Sequence, residues 1–318
     1  MTTKSPIPVT LVTGFLGAGK TTLLNHILAS NPNRRFAIIE NEFGDLGVDG
    51  SLVRTTDEIV FELNDGCICC TVREDLIAVF EQLHERRDEI DHVIIETTGL
   101  AEPVPVMRVF EYTQLRSEFT LDGVVTMVDA AHMEESLADV DACAEQITYA
   151  DLLILNKADR VPNAELEAVE GRLQRMNPLA QLLRAEHAKV DVNAVLNLGG
   201  RPDDERFPHH HHHDDHEHDD EIRSVAVEAE GDVNVAALDV WLGKLSRSQD
   251  PKLLRMKGII AVPGDPRRFV FNGVRQMVDV RPEQPWGSDQ RFNRVVFIGR
   301  GLDATALQRD FRACLMIS

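Results

Sequence analysis

Apolar positions along the first two hundred residues fall into two alternating kinds of segment. Short apolar runs occur at 8–13 (PVTLVT, rich in β-branched residues), Phe36-Ile39, Val93-Ile95, Val124-Val128, Leu152-Leu155 and Leu182-Leu183. Between them lie longer stretches with apolar residues at helical spacing, as in 21–28 (TTLLNHIL), Arg73-Arg87 and Ala164-Met176. Runs of the first kind read as strands buried on both faces, the second as amphipathic helices. Strand and helix in alternation predict a mostly parallel sheet with helices on both faces, an α/β domain over residues 1–199.

The pattern stops at about residue 199. Residues 199–223 (GGRPDDERFPHHHHHDDHEHDDEIR) have almost no apolar content and carry nine Asp and Glu. Such a stretch cannot bury enough surface to offset its ordering entropy, so 200–222 reads as a flexible His- and acid-rich linker. Periodicity resumes beyond it: strand Val225-Val227, helix Val235-Leu245, strand Gly258-Val262, strand Arg268-Phe271 leading to Arg275-Val280, strand Val295-Ile298 and helix Ala304-Cys314. Residues 223–318 therefore form a second, smaller α+β domain.

Composition narrows the function classes. At 318 residues the chain has room for two domains, and its formal net charge is -20. A surface this acidic is repelled by a phosphate backbone and by an anionic bilayer, so nucleic acid and membrane are not expected as partners. No apolar stretch is long enough to span a bilayer, and the glycine-broken N-terminal run does not resemble a secretory signal. A cytoplasmic location follows as the expectation. There thiols stay reduced, so clustered cysteines read as metal ligands or catalytic groups before disulfides. Isolated Cys143 and Cys314 read as small buried hydrophobes.

Three motifs carry chemistry. Gly14-Phe15-Leu16-Gly17-Ala18-Gly19-Lys20-Thr21 is G-x-x-x-x-G-K-[ST] between a strand and a helix. Its backbone N–H groups can cradle phosphates, Lys20 can neutralise β/γ oxygens and the Thr21 hydroxyl can hold Mg²⁺, with Thr22 following in the first helical turn. Asn156-Lys157-Ala158-Asp159 follows another strand. An Asp159 carboxylate accepts from guanine N1–H and the 2-amino group, a donor pair adenine lacks. Asn156 would support the base edge and the loop, and the Lys157 stem would cover the base face. Between these motifs, Glu96-Thr97-Thr98-Gly99 ends a strand where Glu96 can reach Mg²⁺ and the Gly99 N–H can sense a γ-phosphate. Lys20, Glu96 and Gly99 are the expected catalytic set, with no glutamine after Gly99 to position water, so intrinsic GTP hydrolysis is expected to be slow.

Cys67-Ile68-Cys69-Cys70 lies between the glycine loop and Glu96. Two or three of these thiolates can meet one Zn²⁺, Cu⁺ or Co²⁺ ion, and the short spacing leaves a position for another ligand. Glu40 and Glu42 are candidate partners in that sphere; a redox dithiol is the competing reading. His209, His210, His211, His212, His213, His216 and His218 are seven of the twelve histidines, interleaved with carboxylates. They form an accessory set of weak, exchanging metal sites. His132 reads as a satisfied surface histidine.

T-G-F-L-G-A-G-K-T-T-L-L (13–24), E-N-E-F-G (40–44), N-D-G-C-I-C-C (64–70), E-T-T-G-L-A-E-P (96–103) and N-K-A-D (156–159) together resemble the blocks, in order, of the CobW-type GTPases. These are metallochaperone relatives of the urease and hydrogenase nickel-insertion GTPases. R-M-K-G (255–258), P-W-G (285–287) and V-F-I-G (296–299) resemble the family's second domain. The resemblance implies GTP hydrolysis coupled to metal delivery to a client metalloprotein, with Cys67, Cys69 and Cys70 as ligands and Glu40 or Glu42 beside them. Expected ligands are GTP/GDP, Mg²⁺ and Zn²⁺, with Co²⁺ as the alternative cargo. A metal buffer or sensor with vestigial hydrolysis is the rival function, and the sequence is compatible with a homodimer.

Overall fold

A computed structural model describes residues 5–41, 59–63, 71–139, 141–199, 222–248, 252–275 and 277–316. The expected zinc ligands Glu42, Cys67, Cys69 and Cys70 lie outside the described residues. So do the accessory histidines His209, His210, His211, His212, His213, His216 and His218, and the rest of the expected linker apart from Ile222. The chain divides into two compact units, Met1–Gly171 with Ala180–Pro202, and Arg172–Leu179 with Asp203–Ser318.

Up to residue 199 the elements are β1 (Ile7–Gly14), α1 (Lys20–Ser30), β2 (Phe36–Asn41), β3 (Ile59–Leu63), α2 (Thr71–Glu85), β4 (His92–Glu96), α3 (Pro103–Val109), α4 (Thr113–Arg116), β5 (Phe119–Asp129), α5 (Met133–Asp139), α6 (Asp141–Tyr149), β6 (Leu152–Asn156), α7 (Asn163–Met176), β7 (Gln181–Arg184) and α8 (Val192–Leu196). The seven strands are all parallel, in the order β3-β2-β4-β1-β5-β6-β7. Alternate residues of each apolar run serve opposite faces. Phe36, Ile38, Ile94 and Ile154 join a core with α1 and α8. Ala37, Ile39, Val93 and Ile95 join one with α2, α3 and α4. The expected α/β sheet covered on both faces is what forms. β3 is an addition to the strands expected from sequence: it is a five-residue edge strand whose apolar run Ile59-Val60-Phe61 is cut by Glu62.

Parallel strands put every carboxyl end on one edge, and β1 at the centre is flanked by strands leading in opposite directions across the sheet. That switch point is where open α/β sheets bind ligands.

At the opposite end of β4, His92 is fully buried. Arg34 can only donate, so the 2.8 Å contact from its Nη2 makes His92 Nδ1 an acceptor. Nε2 then carries the hydrogen and donates to Thr10 Oγ1 at 2.8 Å. Burial, and next the neighbouring Arg34 charge, lower the His92 pKa to about 3. The unfolded chain therefore takes up this proton first as pH falls. Stability is complete above the unfolded value of about 6.5 and is lost as pH drops toward the folded value. The expected loss through this group from pH 7 to pH 4.5 is about 2–3 kcal/mol. Urea denaturation of the parent and of His92→Gln at both pH values checks it; parallel pH dependences in the two would sink it.

The second unit contains β8 (Arg223–Ala229), α9 (Val235–Leu245), β9 (Lys252–Ala261), β10 (Arg267–Val274), β11 (Met277–Pro285), β12 (Asn293–Arg300) and α10 (Ala304–Arg312). They form an antiparallel sheet, β11-β10-β9-β12-β8, with both helices packed on one apolar face through Leu238, Leu242, Leu307 and Phe311. Each helix starts at a side-chain cap. Asn234 accepts from Ala237 N at 3.1 Å and Asp303 from Ala306 N at 3.0 Å. This is the expected α+β unit, with one strand boundary moved: β9 begins six residues before Gly258. Arg255 and Lys257 look like surface residues in the sequence, yet they lie in this strand at 5% and 2% exposure.

Candidate nucleotide and metal site

The loop from β1 to α1 lies at the carboxyl edge of the parallel sheet. Gly14, Gly17 and Gly19 hold φ of +133°, +73° and +106°, values that L side chains resist. A Cβ on Gly14 would stand 2.3 Å from Met127 O, and one on Gly19 2.5 Å from Asn156 Nδ2. The loop is thus pressed against the ends of β5 and β6, and only glycine fits at those contacts. Ala18, between them, is fully buried.

Lys20 opens α1 and is 9% exposed. Its ammonium donates to Gly14 O at 2.9 Å and Phe15 O at 3.3 Å, arching back over its own loop. Burial draws its pKa below the usual value, while Glu96 pulls the other way. A cation held this way is pre-positioned for anionic oxygens. Thr21 Oγ1 donates to Glu96 Oε1 at 3.1 Å; Thr22, the next residue, is exposed. An alcohol and a carboxylate brought together are the hard oxygen donors that suit Mg²⁺, which binds through one or two protein groups plus phosphate and water. Thr21 and Glu96 would hold that ion, and its chemistry there is to neutralise charge on the phosphate oxygens.

Past Glu96 the chain stays on the glycine loop. Thr97 N donates to Val12 O at 3.0 Å, and Thr97 Oγ1 to Thr13 Oγ1 at 3.0 Å. A Cβ on Gly99 would meet Leu16 N at 2.5 Å. Gly99 therefore abuts the loop whose phosphate it is expected to sense.

On the other flank, Asn156 spends both ends of its amide on the protein. Nδ2 donates to Ala18 O at 2.9 Å and Oδ1 accepts from Ala188 N at 2.8 Å. It ties the glycine loop to the turn after β7. Lys157 has φ +59° and its ammonium donates to Asp129 Oδ2 at 2.7 Å. Asp159 lies exposed in the single 3₁₀ turn Ala158–Arg160.

β2 and β3 also end at this edge. β2 and β3 are neighbours in register, Asn41 beside Leu63, and Glu40 is partnered by Glu96 across β2 and β4. Glu40 is half-buried. In sequence, Cys67, Cys69 and Cys70 fall between the last residue of β3 and the first of α2. Among the described residues no group of three or more His, Cys, Asp and Glu forms a metal-holding cluster. Cys143 and Cys314 are buried free thiols, as expected, and burial pushes Cys143 up to about 11.

Known proteins resemble this chain in sequence and fold. Residues 8–184 match the family described as CobW/HypB/UreG, nucleotide-binding domain, and residues 222–315 match the cobalamin synthesis protein cobW C-terminal domain. The chain belongs to the CobW family of P-loop GTPases. The zinc chaperone YjiA of Escherichia coli (strain K12) is 34% identical to it, over 96% of this chain and 98% of its own length. The zinc chaperone CobW of Pseudomonas aeruginosa is 38% identical, over 99% and 93%. The crystal structure of Zn(II)-bound YjiA GTPase from E. coli matches at a TM-score of 0.77 and 31% identity, covering 98% of this chain and 100% of that one.

In this CobW-family GTPase two features around Asn156 and Lys157 have no signal in the motifs. Asp129, at the end of β5, accepts from Lys157, from Ala131 N at 3.0 Å and from His132 Nδ1 at 3.1 Å. Burial opposes its charge, but the hydrogen bonds from Lys157 and His132 outweigh that and hold the carboxyl below its usual range. The turn after β7 places His187 and Ala188 at φ +52° and +56°, without a glycine or asparagine to announce it. Its position at the carboxyl end of β7 is the cue that could have found it. Among the described residues of the CobW-family chain, no helix is long and apolar enough to cross a membrane.

Proposed function

We propose that this CobW-family GTPase is a zinc metallochaperone whose hold on zinc depends on its bound nucleotide. Zinc is its cargo, gripped by Cys67, Cys69 and Cys70 with Glu40 or Glu42 completing the sphere, and passed to a client apo-metalloprotein in the cytoplasm. The observation that carries the reading is the register of Glu40 with Glu96 on adjacent parallel strands. Register partners in a sheet sit about 4.8 Å apart and share a face. Thr21 reaches Glu96, and Glu96 neighbours Glu40, so a change at the phosphates is two residues from the start of the metal-side segment.

In this reading GTP with Mg²⁺ draws Glu96 and Gly99 onto the phosphates and orders the segment beyond Glu40, bringing the zinc ligands together. Hydrolysis relaxes them and frees the ion. The histidine tract, His209 to His213 with His216 and His218, collects zinc ahead of that step. Linkage makes the coupling reciprocal: zinc must change nucleotide affinity by the factor by which nucleotide changes zinc affinity. The expected factor is about tenfold or more between the GTP-analogue and GDP states. Chelator competition with Zn²⁺ and Co²⁺ in each state measures it and compares the two cargoes. Equal zinc affinities in the two states would remove the proposed gating.

A further inference from the structure

Gln146 sits on α6 at 1% exposure and has no part in the chemistry described above. Its side-chain nitrogen donates to two carbonyls, Gly99 O at 3.1 Å and Ala101 O at 3.0 Å. Both belong to one turn, closed by Ala101 N on Thr98 O at 3.1 Å. A carboxamide nitrogen carries two hydrogens, so a single group can fix two peptide planes of that turn. No other uncharged side chain offers two hydrogens from one atom at this reach.

The anchor itself is firm. Residues 143–149 of α6 are all buried. Thr126 Oγ1 on β5 donates to the Gln146 carbonyl at 2.8 Å, and Thr148 Oγ1 donates to Ala144 O at 2.8 Å. Leu100, between the two clamped carbonyls, is 51% exposed. Opposite the clamp, Gly99 abuts Leu16 of the phosphate loop with no space for a Cβ.

We infer that Gln146 is a positioning residue for GTP hydrolysis, holding the 98–101 turn against the phosphate loop. This rests on the GTPase reading of the site. In a trans peptide the N–H points opposite the C=O, so fixing the Gly99 carbonyl toward α6 turns the Leu100 N–H away from α6. The clamp presets that geometry, and the nucleotide is spared the cost of ordering the turn at each turnover. Gln146 bonds the carbonyls of Gly99 and Ala101 and acts through the turn they belong to.

Gln146→Met keeps the side-chain length and deletes both donors. Against the parent, kcat for GTP is expected to fall about tenfold while KM and GDP affinity stay within about twofold, the pattern of an interaction needed for the chemical step alone. A variant kcat within twofold of the parent overturns the proposal. So does a fall in GDP affinity parallel to kcat, which marks general damage to the fold. Should the variant not fold, amide exchange of residues 98–102 in the parent decides. Amides protected with GDP as well as with GTP analogue support a preset turn, and protection that arises only with GTP analogue overturns it. A parent that does not hydrolyse GTP sinks the GTPase reading itself; a working parent beside an unaffected variant sinks only the role of Gln146.

Discussion

Lys20→Met is expected to cut kcat/KM for GTP by about 10²–10³-fold and to leave the protein at least as stable as the parent. The two halves of that outcome have one cause. Lys20 is 9% exposed and its charge is held off water, with its pKa pulled down by burial. A folded-state pKa below the unfolded value means that the protonated lysine is a cost to folding, and methionine removes it. The bonds lost, to Gly14 O and Phe15 O, leave two loop carbonyls at a site open to phosphate and therefore to water. The same buried cation is worth most when a phosphate arrives and displaces that water, because its charge then acts in a lower dielectric. Phosphate release and thermal melts on the two proteins check both halves. Hydrolysis within tenfold of the parent would show that Lys20 is not the phosphate cation.

Strongly periodic elements are readable because each apolar run is buried on both faces, so hydrophobicity and location coincide. That holds for Val9 to Val12 on β1 and Ile94 on β4. It fails where burial and polarity part company. Arg255 and Lys257 are buried charges inside β9, so the apolar pattern starts that strand only at Gly258. β3 is hidden by its brevity and by Glu62.

The site is legible to the extent that its chemistry resides in residue type. A phosphate loop needs glycine where φ is positive and where Met127 and Asn156 leave no room, and that need leaves a trace in the sequence. What holds such a loop in place leaves none. Gln146, Asp129 and the turn at His187 and Ala188 act through hydrogen bonds and backbone directions that many sequences could supply. From its motif, Asn156 reads as a support for the base edge and the loop; its two bonds join the phosphate loop to the turn after β7, which the motif does not name.

Asp159→Asn is expected to weaken GTP binding by about 10²-fold. Sites that bury a hydrogen-bonding group against their ligand reject a mismatched partner by about 10⁴–10⁵-fold. Asp159 is exposed in its 3₁₀ turn, so water compensates part of the loss and the smaller factor applies. The fold should be untouched, since the loops around the base are tied through Asn156 and Lys157 rather than through Asp159. Chemistry supplies a rescue. Xanthine keeps N1–H but carries a carbonyl where guanine has its 2-amino group, so an asparagine amide can donate where the aspartate accepted. The variant should therefore bind XTP more tightly than GTP, reversing the order in the parent. Fluorescent-nucleotide titrations of both proteins decide the matter. Loss of GTP binding with no gain for XTP would mean that Asp159 supports the loop and does not read the base.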